Sequence, residues 1–250
     1  MAITLITGGS RGLGKAGALA LAKAGHDVII TYNSNVEAAN SVVSQIRQLG
    51  RKGWALQLDT SDIGSFSTFY DALKKVLNEE FSSDTFHYLL NNAGVGTHTP
   101  FAQTTPQELD MLLNMHVKGP YFLTQQLLGL LEDGGAVLNV SSGLTRFCLP
   151  GYSAYAMAKG AVEVMSRYQA YELGVRKIRV NTLAPGAIET DFGEGLVRDN
   201  AAVNSAITER TALGRVGLPD DIGDVIALLL SDKSYWINGQ RIEASGGMNL

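Results

Sequence analysis

The chain has a single cysteine, Cys148, so it cannot form an internal disulfide. Disulfide-stapled secreted scaffolds are therefore excluded, and we expect a reducing, cytoplasmic compartment. Charge is also sparse, since 18% of the 250 residues are charged and the net charge is −4. Because no long basic run occurs, we do not expect nucleic acid to be a partner.

Long hydrophobic runs are missing as well. No stretch approaches the roughly 18 apolar residues that a membrane span needs, and no basic region with a following apolar run resembles a secretion signal. Only six prolines occur, and no proline-rich or low-complexity linker divides the chain. Hydrophobic residues make up 45%, which is enough to build a buried core. We therefore predict one domain over residues 1–250 and no membrane partner.

Short β-branched runs alternate with longer helical patterns. The predicted strands cover 3–7, 27–32, 52–59, 86–92, 135–142, 177–184 and 239–244, and the predicted helices cover 12–25, 35–50, 64–80, 106–131, 151–174 and 219–231. This alternation predicts an α/β fold of the Rossmann type: a doubly wound parallel sheet of about seven strands with helices on both faces. The irregular region 187–212 is predicted to be an insertion that serves as a substrate lid.

A glycine-rich turn, "TGGSRGLG", follows the first predicted strand and opens the first helix. Gly8, Gly12 and Gly14 lack a Cβ, so a diphosphate can approach the backbone there. The free N–H groups at the start of the following helix favour the same anion. The turn therefore predicts a dinucleotide site, although a simple connection between strand and helix would also explain the glycines.

The end of the second strand indicates which dinucleotide binds. An NAD enzyme usually has an acid there for the ribose 2′-OH, but this strand ends in "IITYNSN", and Asp27 lies at its opposite end. Ser10, Arg11, Asn33 and Ser34 would instead meet a 2′-phosphate. We predict NADP(H) rather than NAD(H), the alternative being that Arg11 is only a solvated surface residue.

Tyr155 and Lys159 are four residues apart in a predicted helix and therefore share one face. At an effective dielectric near 20, a cation about 4 Å from a phenolate contributes about 4 kcal/mol, which predicts a lowered pKa for Tyr155. Ser142 ends the fifth predicted strand, where it can bind a substrate carbonyl. Strand alternation turns its neighbour Ser141 to the other face. By itself, the Tyr–Lys spacing would favour a surface helix whose Tyr and Lys are unrelated.

Five motifs in this order resemble the short-chain dehydrogenase/reductase family, and within it the 3-oxoacyl-carrier-protein reductase-like branch. They are "TGGSRGLG", "NNAG" (91–94), Ser142, "YAMAK" (155–159) and "PGAIET" (185–190). The resemblance implies hydride transfer between NADP(H) and a carbonyl or secondary alcohol. Tyr155 would be the general acid and base, Lys159 would lower its pKa and hold the nicotinamide ribose, and Ser142 would polarise the carbonyl. A homotetramer is also implied.

Other functions stay open at this point. They are an NAD-dependent alcohol or sugar dehydrogenase of the same family, and a non-catalytic dinucleotide-binding sensor. The presence of both Tyr155 and Lys159 argues against the sensor. The substrate cannot be read from the sequence, and no metal site is expected.

The cofactor contacts expected from the turn, the second strand and the resemblance form one set. They are Gly8, Ser10, Arg11, Gly12, Leu13, Gly14, Asn33, Ser34, Asp59, Asn92, Ala93, Gly94, Tyr155, Lys159, Pro185, Gly186, Ile188 and Thr190. For Asp59, a helix-capping role is the alternative to an adenine contact. The family commonly has an asparagine three residues before Gly119; here that residue is His116, and either a proton-relay role or simple packing would explain it.

Overall fold

The computed structural model describes residues 1–250 and is built around one parallel sheet. Its strands are β1 (Ile3–Ile6), β2 (Asp27–Tyr32), β3 (Gly53–Gln57), β4 (Phe86–Asn91), β5 (Leu131–Val140), β6 (Arg179–Pro185) and β7 (Arg241–Ala244). They lie side by side in the order β3-β2-β1-β4-β5-β6-β7. This order confirms the predicted seven-stranded α/β fold. All seven strands are parallel, but β2 and β3 are added on one side of β1 and β4 to β7 on the other. The strand order therefore reverses between β1 and β4, and in folds of this kind a crevice forms there at the carboxyl ends of the strands.

The chain forms nine α-helices. They are α1 (Gly12–Lys23), α2 (Val36–Gln48), α3 (Phe66–Val76), α4 (Pro106–Leu113), α5 (Gly119–Leu127), α6 (Ser153–Glu172), α7 (Leu196–Asp199), α8 (Ala201–Thr208) and α9 (Pro219–Leu229). None of them has the length and apolar character needed to cross a bilayer.

The two faces of the sheet carry two separate cores, because successive strand residues point to opposite sides. In β1, Leu5 packs against α3, α5 and α6, whereas its neighbour Ile6 packs against α1, α2 and α9. Ile29 and Ile30 in β2 divide between the two cores in the same way. Apolar residues on both faces of each strand are thus explained by helices on both sides.

The predicted helix 106–131 is divided in the structure. A π-helical turn, Asn114–Lys118, separates α4 from α5, and the helix ends at Leu127. Pro120 has no backbone N–H to donate to the preceding turn, which favours a wider turn at this place. Residues from Leu131 onward instead begin β5, four residues earlier than predicted.

Candidate active site

The glycine turn lies at the carboxyl end of β1 and is shaped by its missing side chains. Gly8 and Gly12 have positive φ angles of 64° and 53°. A Cβ on Gly14 would lie 2.3 Å from the carbonyl oxygen of Gly8, so only glycine fits there. Gly9, which the sequence reasoning did not single out, is equally constrained, since its Cβ would lie 2.6 Å from Ile30.

Residues at the end of β4 hold this turn in place. The Thr7 hydroxyl accepts hydrogen bonds from the backbone N–H groups of Asn92 and Ala93, each at 3.0 Å. The Asn92 side-chain amide donates to the carbonyls of Thr7 and Gly8, at 2.9 and 3.1 Å. Of the residues predicted to contact a cofactor, Asn92 therefore uses its amide to fix the turn.

The start of α1 is open to an anion. Its N-cap residue, Arg11, makes no capping side-chain bond, and the first turn has no acid. Ser10 and Leu13 flank this end and are half-buried. Thr190 lies opposite, 3.8 Å from where a Cβ on Gly12 would be. The predicted diphosphate contacts thus surround one helix N-terminus.

The segment after β6 forms the other wall of the crevice. Pro185 ends the strand, and Gly186 lies against Ser245, which an added Cβ would meet at 2.8 Å. Ile188 forms an isolated bridge with Gly217. This places the predicted residues 185–190 beside the ends of β5 and β6.

At the end of the crevice beside β2, Asn33 and Ser34 follow the strand and are exposed, as is Arg11. Asp27 pairs with Arg51 at the far end of the strand, at 2.6 Å. The end of β2 therefore presents no carboxylate to a 2′-phosphate.

Asp59 caps its own turn. Its Oδ1 accepts from the N–H and the hydroxyl of Ser61, at 2.8 and 2.7 Å. This is a turn within the loop after β3 and not a helix cap, because the helical turn that follows is capped by Asp62, whose side chain accepts from the N–H of Gly64. The adenine contact of Asp59 stays a prediction.

Tyr155 and Lys159 lie side by side near the start of α6, as the spacing predicted. The Lys159 Nζ is 5.8 Å from the centre of the Tyr155 ring, and it donates to the Val140 carbonyl at 2.9 Å. The two residues are 7% and 5% exposed. The helix therefore brings the phenol and the amine to the end of β5.

The predicted lowering of the Tyr155 pKa was wrong in direction. Burial raises the pKa of Tyr155, and an interaction with the Ser142 hydroxyl offsets this only in part. Burial also lowers the pKa of Lys159 to about 7. An effective dielectric near 20 suits partly solvated groups, but both side chains are enclosed, and desolvation disfavours the charged form of each.

Ser142 and Ser141 point in different directions, as strand alternation predicted. Ser142 is half-buried beside Tyr155, and its Oγ accepts from the N–H of Leu144 at 3.2 Å. The Ser141 hydroxyl is buried and instead donates to Glu163 on α6, at 2.8 Å.

His116 is packed directly beneath the phenol. Its Nε2 lies 2.7 Å from the Val95 carbonyl, and Nδ1 has no partner. Burial and the nearby Lys159 lower its pKa to about 3, so the ring is neutral and donates from Nε2. Gly94 makes room for it, since a Cβ there would lie 2.7 Å from the ring.

Phe192, on the predicted lid, reaches the phenol. Its ring centre is 6.0 Å from that of Tyr155, and its edge occupies the space that a Cβ on Gly96 would need. The sequence placed Phe192 in the lid but carried no signal for this contact, which joins residues 37 positions apart.

No group of three or more potential metal ligands lies together.

Comparisons with known proteins agree with this geometry. A family model described as enoyl-(acyl carrier protein) reductase matches residues 8–249. Tetrahydroxynaphthalene reductase PfmaG of Pestalotiopsis fici is 34% identical over 259 residues, covering 98% of this chain and 90% of the relative. Versicolorin reductase stcU of Emericella nidulans is 31% identical, covering 98% and 94%.

Solved structures show the same fold. The promiscuous reductase LugOII, which catalyses keto-reduction at C1 during lugdunomycin biosynthesis, has a TM-score of 0.94 at 35% identity, covering 100% of this chain and 98% of its own. The angucycline C-6 ketoreductase LanV with bound NADP has a TM-score of 0.93 at 34% identity, covering 99% and 95%.

Proposed function

The chain belongs to the short-chain dehydrogenase/reductase family, and from that premise we propose that it is an NADP(H)-dependent ketoreductase acting on C=O or CH–OH groups. The observation that carries this proposal is the cluster of Ser142, Tyr155 and Lys159 at the end of β5. A sensor would need only the glycine turn. Three polar side chains gathered at a strand end, two of them buried, support catalysis instead.

The crevice fits a dinucleotide because Gly14 leaves no room for a side chain and the N-terminus of α1 is uncapped. Gly8 and Gly12 would hold the diphosphate, with Thr190 opposite. Arg11, with Asn33 and Ser34, would hold the 2′-phosphate, and LanV contains NADP in its structure. When bound, the reduced cofactor supplies the hydride.

Each polar side chain of the cluster has one task. The Ser142 hydroxyl donates a hydrogen bond to the substrate carbonyl. Burial raises the pKa of Tyr155, so the phenol stays protonated and can donate its proton to that oxygen. Lys159, with a pKa of about 7, can hold or release a proton near neutral pH and lies close to the phenol ring. The three side chains can thus bind a carbonyl oxygen and supply the proton that its reduction needs.

The substrate we propose is a polycyclic aromatic ketone. Aromatic rings border the approach to Tyr155: Phe192 lies beside it, and Tyr152 packs edge-on against His98, with ring centres 5.0 Å apart. Several similar proteins are named as reductases of naphthalene, versicolorin or angucycline compounds. Residues 187–212, which carry Phe192, would act as the lid over such a ring system.

The proposal is tested by following NADPH oxidation with tetralone, hydroxynaphthalene-type ketones and small acyclic ketones. We expect turnover of the ring ketones, with NADPH preferred over NADH. Tyr155→Phe should lose nearly all turnover yet still bind NADPH, because only the phenolic proton is removed. Full activity in that variant would contradict the assigned role.

We also propose a homotetramer in the cytoplasm. Helices α5 and α6 expose large apolar side chains, among them Tyr121, Phe122, Tyr168 and Tyr171. Such a surface supports association between copies. The free Cys148 suits a reducing compartment. Light scattering after size exclusion would give the mass, and cell fractionation would give the location.

A further inference from the structure

One carboxylate oxygen on α6 binds the segment that carries Ser142. The Oε1 of Glu163 accepts a hydrogen bond from the Ser141 hydroxyl at 2.8 Å and lies 2.7 Å from the Thr145 hydroxyl. Ser141 comes one residue before Ser142, and Thr145 comes three residues after it. The backbone on both sides of Ser142 is therefore tied to the same atom.

The helix that provides this carboxylate also carries the other two polar groups of the site. Glu163 follows Lys159 by four residues and Tyr155 by eight, and residues four apart lie on one side of a helix. The Ser141 hydroxyl also lies 3.3 Å from the carbonyl oxygen of Lys159. Because Tyr155 lies on α6 and Ser142 follows β5, contacts that fix α6 against the end of β5 also fix the Tyr155 phenol relative to the Ser142 hydroxyl.

Arg241, on the edge strand β7, neutralises this carboxylate. Its Nε donates to Glu163 Oε1 at 2.8 Å, and its Nη2 lies 3.2 and 3.3 Å from the Thr145 hydroxyl and the Ser142 carbonyl. Its Nη1 donates to Glu243 at 2.8 Å. Glu163 and Arg241 side chains are only 15% and 24% exposed. Charge-assisted hydrogen bonds are stronger than neutral ones, and this low exposure limits screening by solvent.

We propose that Glu163 is a positioning residue of the ketoreductase site, which holds the Ser142 hydroxyl at the reach of the same carbonyl oxygen that Tyr155 protonates. The inference rests on the proposed function. It differs from a general stabilising role because the carboxylate contacts Ser141 and Thr145, one residue before and three residues after Ser142. Small displacements of a substrate-binding group lower the rate of the chemical step more than the affinity for cofactor.

Steady-state kinetics of Glu163→Ala test the proposal, with Glu172→Ala as a control at the exposed end of the same helix. We expect Glu163→Ala to lower kcat about 10- to 100-fold with an unchanged KM for NADPH. Glu163→Gln should recover most of this loss, because its amide oxygen still accepts from the two hydroxyls. Wild-type kcat in both Glu163 variants would overturn the proposal.

A double-mutant cycle separates positioning from general destabilisation. Once Ser142→Ala has removed the hydroxyl, adding Glu163→Ala should change the remaining kcat less than 2-fold. A second loss as large as that in the wild-type background would show that Glu163 does not act through Ser142. If Glu163→Ala fails to fold, the cycle is run with Thr145→Val and Ser142→Ala, because Thr145→Val removes one of the two hydroxyls that contact Glu163.

A readout independent of activity uses Cys148, the only cysteine of the chain, which is exposed three residues after Thr145. A nitroxide label on Cys148 should become more mobile in Glu163→Ala and stay unchanged in Glu172→Ala. Unchanged label mobility in both variants would contradict the proposal that Glu163 holds the segment that carries Ser142. If the wild-type protein reduces no ketone while the label responds as expected, the proposed function fails, but Glu163 still holds this segment.

Discussion

His116 lies edge-on to Tyr155, with ring centres 5.4 Å apart and an interplanar angle of 87°. The histidine donates to the Val95 carbonyl, so it joins the phenol to the segment after β4. Edge-to-face packing of this kind contributes about 0.5–1.5 kcal/mol beyond burial. The His116 ring is enclosed and neutral, and its packing restrains the position of the Tyr155 ring.

The neutral state of His116 predicts loss of stability in acid. Its pKa is about 3 in the folded chain and 6.5 when exposed. A lowered folded pKa contributes stability that is complete above about pH 6.5 and is lost as the pH falls toward 3. We expect the free energy of unfolding to fall by up to about 1.4 kcal/mol per pH unit from this residue.

Urea denaturation between pH 4.5 and 7.5 measures this effect. His116→Gln can still donate to Val95 but has no proton to gain, so its stability should fall less steeply below pH 6.5. The exposed His98→Gln should keep the wild-type slope. Because burial also lowers the pKa of His26 and His87, part of the slope should persist in every variant. Equal slopes in all three proteins would exclude a buried neutral His116.

Lys159 predicts a conflict between stability and activity. Burial lowers the pKa of Lys159 from 10.5 to about 7. Each pH unit of this shift lowers the free energy of unfolding of the charged form by about 1.4 kcal/mol. Stability from this group is present above pH 10.5 and lost as the pH falls to 7. Lys159→Met should therefore be at least as stable as wild type at pH 7, while kcat falls more than 100-fold.

The measurement is the free energy of unfolding at pH 7 and pH 9 for both proteins. Wild type should gain stability with pH relative to Lys159→Met, because only wild type loses a buried charge. Lys118→Met, an exposed position, serves as the control and should follow wild type. A Lys159→Met protein that is much less stable at pH 7 would mean that the hydrogen bond from Nζ to the Val140 carbonyl outweighs the cost of the enclosed charge.

The sequence predicted the fold and the placement of the phenol–amine pair, and the reasons are local. Strand and helix periodicities lie within short windows, and the spacing between Tyr155 and Lys159 falls within one helix. The direction of the Tyr155 pKa could not be predicted in this way, because it depends on which distant segments cover the phenol. Phe192 and His116 are two of these, and each approaches from its own part of the chain.

Contacts between residues far apart in the chain could not be predicted either, because sequence patterns describe only short windows. Glu163 and Arg241 are 78 positions apart, and nothing in either neighbourhood marks the pair. The π-helical turn at Asn114–Lys118 was missed because its residues continue the apolar pattern of the flanking helices. Pro120 just after it was the only local signal, and proline in the first turn of a helix is common.

Arg11 should determine the preference for NADPH. It is exposed at the uncapped start of α1, with no acid in the first turn of that helix. A charged hydrogen bond to a 2′-phosphate contributes about 1.5–3 kcal/mol. Arg11→Ala should therefore raise the KM for NADPH about 10- to 100-fold and leave the KM for NADH unchanged. Lys15→Ala, one turn further along α1, is the control and should change the KM for either cofactor little. An equal rise in the KM for NADPH and for NADH in Arg11→Ala would refute a 2′-phosphate contact.

Phe192 should select for flat ring substrates. Its ring centre lies 6.0 Å from that of Tyr155, and the residue is 47% exposed, which leaves part of its surface accessible to a ligand. An aromatic pair contributes about 0.5–1.5 kcal/mol, and Phe192→Ala should raise the KM for a polycyclic ketone about 2- to 10-fold without changing that for a small acyclic ketone. Leu196→Ala is the matched control, because Leu196 lies on the same segment and is 45% exposed. Similar losses in both variants, or for both substrates, would mean that the segment acts through its fold and that stacking on Phe192 contributes nothing to selection.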